Sequence, residues 1–139
     1  MVDQYLKKWQ SDLNSSENFD VVMEQMKLAP MARKVFKERV GTLEYKLTGD
    51  TWTAIASIDG LGERTYEYKL GEEITSKGLD GEPLKTKSCF EDGALVEYSM
   101  SLTSEVPITI TRRVVDGVLQ CECKVNETGA KMTYRMTEV

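Results

Sequence analysis

The chain has 139 residues, 40% of them hydrophobic, and its 18 Lys and Arg against 23 Asp and Glu leave a net charge of -5. That length suits one domain able to bury about two-thirds of its unfolded surface, and the acidic balance excludes a nucleic-acid protein, whose footprint would be a basic excess. The absence of histidine excludes His-based triads and His-ligated metals, and three cysteines without framework spacing fit a reducing compartment.

The N-terminal stretch "MVDQYLKKWQSDL" is polar and aromatic, without the apolar centre of a signal peptide. No run of about 18 apolar residues follows it, so a soluble intracellular chain is expected. Residues 18–39, "NFDVVMEQMKLAPMARKVFKER", change the pattern. Phe19, Val22, Met23 and Met26 fall on a helical stripe, and "SSENFD" supplies a polar cap region. Pro30 ends this helix and opens a second, in which Met31, Val35 and Phe36 face inward while Arg33, Lys34 and Lys37 project to water.

After residue 40 turn signals recur at short intervals, among them "TGD", "DGLGE", "LDGEP", "EDGA", "VDG" and "NETG". The segments between them alternate with a period of two. Leu43, Tyr45 and Leu47 oppose Glu44 and Lys46; Tyr66 and Tyr68 oppose Glu67 and Lys69; Val96, Tyr98, Met100 and Leu102 oppose Glu97, Ser99 and Ser101. Further on, Leu119, Cys121, Cys123 and Val125 share one face, as do Ala130, Met132, Tyr134 and Met136. Cys121 and Cys123 are therefore strand neighbours and no metal knuckle; neither metal nor cofactor is expected. About ten such strands at hairpin spacing make an all-β antiparallel barrel or sandwich with an inserted helix–turn–helix.

Within "PITITRRVV" the alternation puts Arg112 in file with Ile108, Ile110 and Val114. A lone buried guanidinium costs several kcal/mol unless an anion, acceptors or trapped water meet it. A barrel of about ten strands leaves a cavity instead of a filled core, and an anionic ligand inside would suit Arg112. On this reading neutralising Arg112 would leave the empty protein no less stable.

The order "WQSDLNSSENFDVVMEQM", "RKV", "YKLGEE" and "ITRRVVDGVLQCECKV…MTYRM" resembles the intracellular fatty-acid-binding protein family, a calycin-fold group of lipid-binding proteins, over nearly the whole chain. The resemblance implies one up-and-down β-barrel domain over residues 1–139, capped by a helical lid at about 18–39, with a large, partly water-filled lipid cavity. It also implies that a ligand carboxylate meets two inward arginines and a tyrosine; these fall on Arg112, Met132 and Tyr134, so the second guanidinium is replaced by a thioether. Phe19, Met23, Leu28, Phe36, Cys121, Cys123 and Met132 are the expected cavity contacts. The four-residue spacing of Trp9 and Leu13, against two in the family's motif, implies a bulge or insertion in the first strand. "DGLGER", one residue longer than usual, would lie by the ligand portal.

Lys27, Arg33, Lys34, Lys37 and Arg39 form a basic cluster on the lid. It reads as a solvated face, as a contact for anionic membranes, or, by the resemblance, as a nuclear-import surface in which Arg33 and Lys34 match a basic pair and Glu24 breaks the third position. The functional readings are a monomeric, non-enzymatic cytoplasmic carrier of a long-chain fatty acid or related lipid, with transient anionic membrane contact, and a lipid-dependent module that presents the lid to nuclear-import or nuclear-receptor partners and enters the nucleus. An enzyme would need acid and base pairs such as Glu72, Glu73 or Glu122; adjacent strand residues point to opposite faces, and no nucleophile–base pairing is visible.

Overall fold

The computed structural model describes residues 2–139. A 3-10 turn at Val2–Tyr5 leads into strand β1 (Lys8–Glu17), helices α1 (Phe19–Gln25) and α2 (Pro30–Glu38), then β2 (Gly41–Thr48), β3 (Thr51–Ile58), β4 (Gly62–Lys69) and β5 (Glu73–Lys77). Strands β6 (Pro83–Glu91), β7 (Ala94–Ser101), β8 (Pro107–Val115), β9 (Val118–Val125) and β10 (Lys131–Glu138) complete the chain. All pair antiparallel in one ten-stranded sheet of order β4-β3-β2-β1-β10-β9-β8-β7-β6-β5. The sheet curls into a nearly closed barrel, because the first strand bridges β2 and β10 while the edges β4 and β5 follow one another in sequence. The expected all-β barrel with a helical lid is thus what the chain forms.

The hairpins explain this regularity. Between β6 and β7, and between β8 and β9, the loops are Asp92–Gly93 and Asp116–Gly117, and all four residues have positive φ between 51 and 78°. That is the two-residue turn whose twist matches antiparallel strands, and Asp-Gly is the pair that adopts it at least cost. β1 carries the expected irregularity: Asp12 pairs with Arg135 but Glu17 already pairs with Thr133, so extra β1 residues bulge out. The bulge is tied down locally, since Ser15 Oγ donates to the Asp12 carbonyl at 2.6 Å and accepts from the Arg135 amide at 2.8 Å.

The lid departs from expectation in three details. α1 stops five residues before Pro30: Met26 caps it, Lys27 takes a left-handed conformation at φ 60°, and the Leu28 amide returns to the Met23 carbonyl at 3.3 Å. Pro30 only opens α2, at whose first turn a missing amide costs nothing. "SSEN" gives no side-chain cap; Glu17 still belongs to β1, and the Asn18 amide group donates instead to the Lys131 carbonyl at 2.8 Å, stitching the lid to β10. In α2 the buried residue is Ala32, while Met31 is 77% exposed at the mouth of the barrel.

Buried apolar side chains fall into two separate groups. One forms the floor: Tyr5, Trp9, Leu43, Tyr45, Trp52, Leu95, Leu119, Cys121 and Met136. The other lies under the lid: Val22 and Met23 of α1 against Ile108, Cys123, Val125 and Met132. The floor is sealed by the 3-10 turn. The Tyr5 hydroxyl, on a fully buried side chain, donates to the Gly93 carbonyl at 2.7 Å with the Arg112 carbonyl at 3.2 Å, and Trp9 Nε1 donates to the Tyr5 carbonyl at 3.2 Å. Tyr5→Phe removes that donor without changing the packing, so urea unfolding should report a loss of about 1 kcal/mol; unchanged stability would mean that the hydroxyl does not hold the floor closed.

Candidate functional site

Between the floor and the lid lies a cavity of about 820 Å³. It is within the range of roughly 300–1,000 Å³ that suits a small-molecule ligand. Its upper part is apolar, lined by Phe19, Met23, Leu28 and Phe36 from the lid and by Ile108, Ile110, Cys123 and Met132 from the barrel. The opposite wall is polar, with Thr86 and Ser88 from β6 and Glu97, Ser99 and Ser101 from β7.

That polar wall corrects the reading of β7. The face carrying Tyr98 and Leu102 was expected inside, yet these are 40% and 42% exposed, and Glu97, Ser99 and Ser101 look into the cavity. Alternation marks the buried face only where that face meets packed side chains; against a roomy cavity, polar residues keep room for water partners.

Arg112 does lie inside, buried on β8 beside Ile108 and Ile110, but it is not alone. Leu95 stands opposite Arg112 and Glu97 opposite Ile110, which makes Glu97 and Arg112 diagonal neighbours on one face. Arg112 Nη1 donates to Glu97 Oε1 at 2.5 Å and to the Tyr45 hydroxyl at 3.3 Å across the barrel. The side chains of the pair are only 11% and 22% exposed. Burial is the largest single influence and works against the Arg112 charge, but Glu97, with Tyr45, Tyr134 and Cys121 adding to its effect, outweighs burial and holds the guanidinium firmly charged. Arg112 Nε is buried and has no hydrogen-bond partner among the described residues. The counter-ion that the sequence reading lacked is therefore internal, and neutralising Arg112 alone strands a half-buried carboxylate.

The remaining expected residues divide. Tyr134 and Met132 line the cavity from β10, across from Cys121 and Cys123 respectively. Burial, with Cys121 adding and Arg112 opposing, pushes the Tyr134 hydroxyl well above the ordinary tyrosine range, so it stays a neutral donor. Burial likewise pushes the Cys123 thiol up to about 11, so at neutral pH it is an apolar contact and not a nucleophile. Cys121 was expected as a contact but belongs to the floor, packed with Leu119 and Met136 and outside the cavity lining. Sequence reasoning missed Glu97 and, as a polar contact, Tyr45.

On the lid, Asp20 of α1 holds two of the expected basic residues: Lys37 Nζ lies 2.9 Å from Asp20 Oδ2, and Arg33 Nη2 donates to the Asp20 carbonyl at 3.4 Å. Arg39 pairs with Asp59 at 3.1 Å. Lys27 and Lys34 are exposed and make no ion pair among the described residues. The "DGLGER" turn approaches α2, where a Cβ on Gly60 would sit 3.7 Å from Val35, and Gly60 and Leu61 line the cavity as expected for a mouth.

No family model matches the chain. Fatty acid-binding protein 5 of Pygoscelis papua is 32% identical over 135 residues, 96% of this chain and 97% of the relative. The chain belongs to the fatty-acid-binding protein family. Human fatty acid-binding protein 9 is 28% identical over 134 residues, 96% of this chain and 98% of that relative. The fold agrees: the Schistosoma mansoni fatty acid binding protein solved in complex with arachidonic acid superposes with a TM-score of 0.88 at 19% identity, covering 99% of this chain and 98% of that one. Within this family fold the polar side of the cavity carries an Arg112–Glu97 pair, while Met132 lies toward the lid with Met23 and Cys123.

Breaking a buried pair from one side strands a charge. Arg112→Gln alone should lower stability by about 3–5 kcal/mol, and Arg112→Gln with Glu97→Gln should recover at least half of that. Denaturant unfolding of the single and double variants measures the coupling; a single variant as stable as the parent would show that the pair does not support the barrel.

Proposed function

We propose that this protein is a non-enzymatic cytoplasmic carrier that takes a long-chain fatty acid, or a lipid of that size and shape, into the barrel cavity and releases it at membranes. The observation that carries this reading is the cavity of about 820 Å³ beneath the lid, apolar on the side of the lid and bounded by a polar wall on β6 and β7 that reaches Arg112. A single-tailed lipid matches that division: the tail lies against Phe19, Met23, Leu28, Phe36 and Met132, and the head reaches Arg112 and Tyr134. The thioethers of Met23 and Met132 adapt to a flexible chain with little strain. Relatives named fatty acid-binding proteins agree with this assignment. No helix among the described residues is long and apolar enough to cross a membrane, so membrane contact falls to the lid surface. There, exposed Lys27 and Lys34 flank exposed Met31.

Titration with a fluorescent long-chain lipid tests the reading directly: saturable binding with displacement by unlabelled lipid is expected, and no uptake of either a charged or an uncharged long-chain lipid by folded protein would overturn it. Delivery is read from transfer rates to anionic vesicles. Replacing both Lys27 and Lys34 with Gln should slow transfer and flatten its salt dependence, each lysine contributing about 1 kcal/mol near such a surface, while equilibrium affinity stays the same. Lys37→Gln, which unties α2 from Asp20, should instead speed release. Transfer unaffected by the Lys27 and Lys34 changes would leave the basic lid as a solvated face or as the surface of a nuclear-import or nuclear-receptor module.

A further inference from the structure

The polar end of the cavity holds one cation and one anion, and their charges cancel. Arg112 Nη1 is committed to Glu97 Oε1 and Tyr45, while Arg112 Nε remains buried and unpartnered on a side chain that lines the cavity. Met132, toward the lid on β10, brings no charge, and Tyr134 brings a neutral hydroxyl. We infer that Glu97 sets the headgroup specificity of the cavity, favouring a long-chain lipid whose head is uncharged and both donates and accepts hydrogen bonds, a hydroxyl or primary amide, over a carboxylate.

The inference rests on the carrier reading and narrows its ligand. A carboxylate can only accept. Placed against the Arg112 guanidinium it brings a second negative charge next to Glu97 in a poorly solvated space, and two carboxylates sharing one guanidinium repel. To bind without that repulsion it must displace Glu97 from Arg112, which costs an existing charge-assisted bond, or enter as the protonated acid. A hydroxyl or primary amide meets neither obstacle. It accepts from the cavity-facing side of the Arg112 guanidinium or from the Tyr134 hydroxyl and donates to a Glu97 oxygen, so the pair stays intact. The hydroxyls of Ser88 and Ser99 on the same wall add neutral partners and no charge.

Oleate, oleyl alcohol and oleamide share one tail and separate the headgroup from the rest. Calorimetric titration of the delipidated protein at neutral pH should give oleyl alcohol and oleamide affinities at least equal to that of oleate. Glu97→Gln frees Arg112 for an incoming anion and should tighten oleate by about tenfold or more relative to oleyl alcohol, equivalent to about 1.4 kcal/mol. In the double variant Arg112→Gln with Glu97→Gln, which removes both charges and guards against a single variant that folds poorly, oleyl alcohol should still bind and the gain in oleate should vanish. Parent protein that binds oleate about tenfold tighter than oleyl alcohol, with a ratio unmoved by Glu97→Gln, would overturn the headgroup assignment while leaving the carrier reading standing. Folded protein that takes up none of the three lipids would overturn the carrier reading, and the headgroup assignment with it.

Discussion

Ten strands in one nearly closed sheet enclose more space than their inward side chains can fill. A barrel of about eight strands is just wide enough to be packed solid; this one splits its apolar side chains into a floor around Trp9, Tyr45 and Leu119 and a roof under α1, and leaves a chamber between. Much else follows from that constraint. The roof must come from a separate element, which is why α1 is inserted after β1 and tied to β10 through Asn18. The floor must be closed from outside the sheet, which the 3-10 turn does with Tyr5. The chamber wall is free to be polar, because its side chains face space that water or a ligand can enter.

The Arg112–Glu97 pair belongs to this logic. In a packed core it would carry a desolvation cost that its attraction hardly offsets. On the wall of a chamber, with Tyr45 as a third partner, it is bound on one side and accessible on the other. The same contact that makes the pair tolerable in the empty barrel also neutralises the end where a lipid head would arrive. Stability and selectivity are thus set by one interaction, and a change at Glu97 acts on both. The lid shows a similar double use: Asp20 holds Lys37 and Arg33 and so joins α1 to α2, leaving Lys27 and Lys34 as exposed basic charges on the lid.

The elements that could be read from the sequence are those governed by local rules. Asp-Gly turns mark the hairpins of β6–β7 and β8–β9, alternation marks the strands between them, and the stripe of Phe19, Val22, Met23 and Met26 marks the lid. Arg112 stood out because a charge in an apolar file has no local explanation. What answered it was invisible for a physical reason: choosing the apolar face as the inner face is valid for a packed interior, and β7 faces a chamber, so Glu97 was placed outside. The same assumption hid the serine wall. Pro30 is a conspicuous breaker that suggests a helix running up to it, whereas the left-handed turn at Lys27 that stops α1 carries no sequence signal. Cys121 shares its strand face with Cys123, and only the tapering floor separates a packed residue from a cavity contact.

Native mass spectrometry of the purified protein, with the bound species released and identified, bears most directly on the claim that the chamber is a lipid site whose polar end is already charge-balanced. The account predicts a co-purified single-tailed lipid with an uncharged, hydrogen-bonding head. Protein that repeatedly arrives empty, and that stays empty when mixed with such lipids, would contradict it.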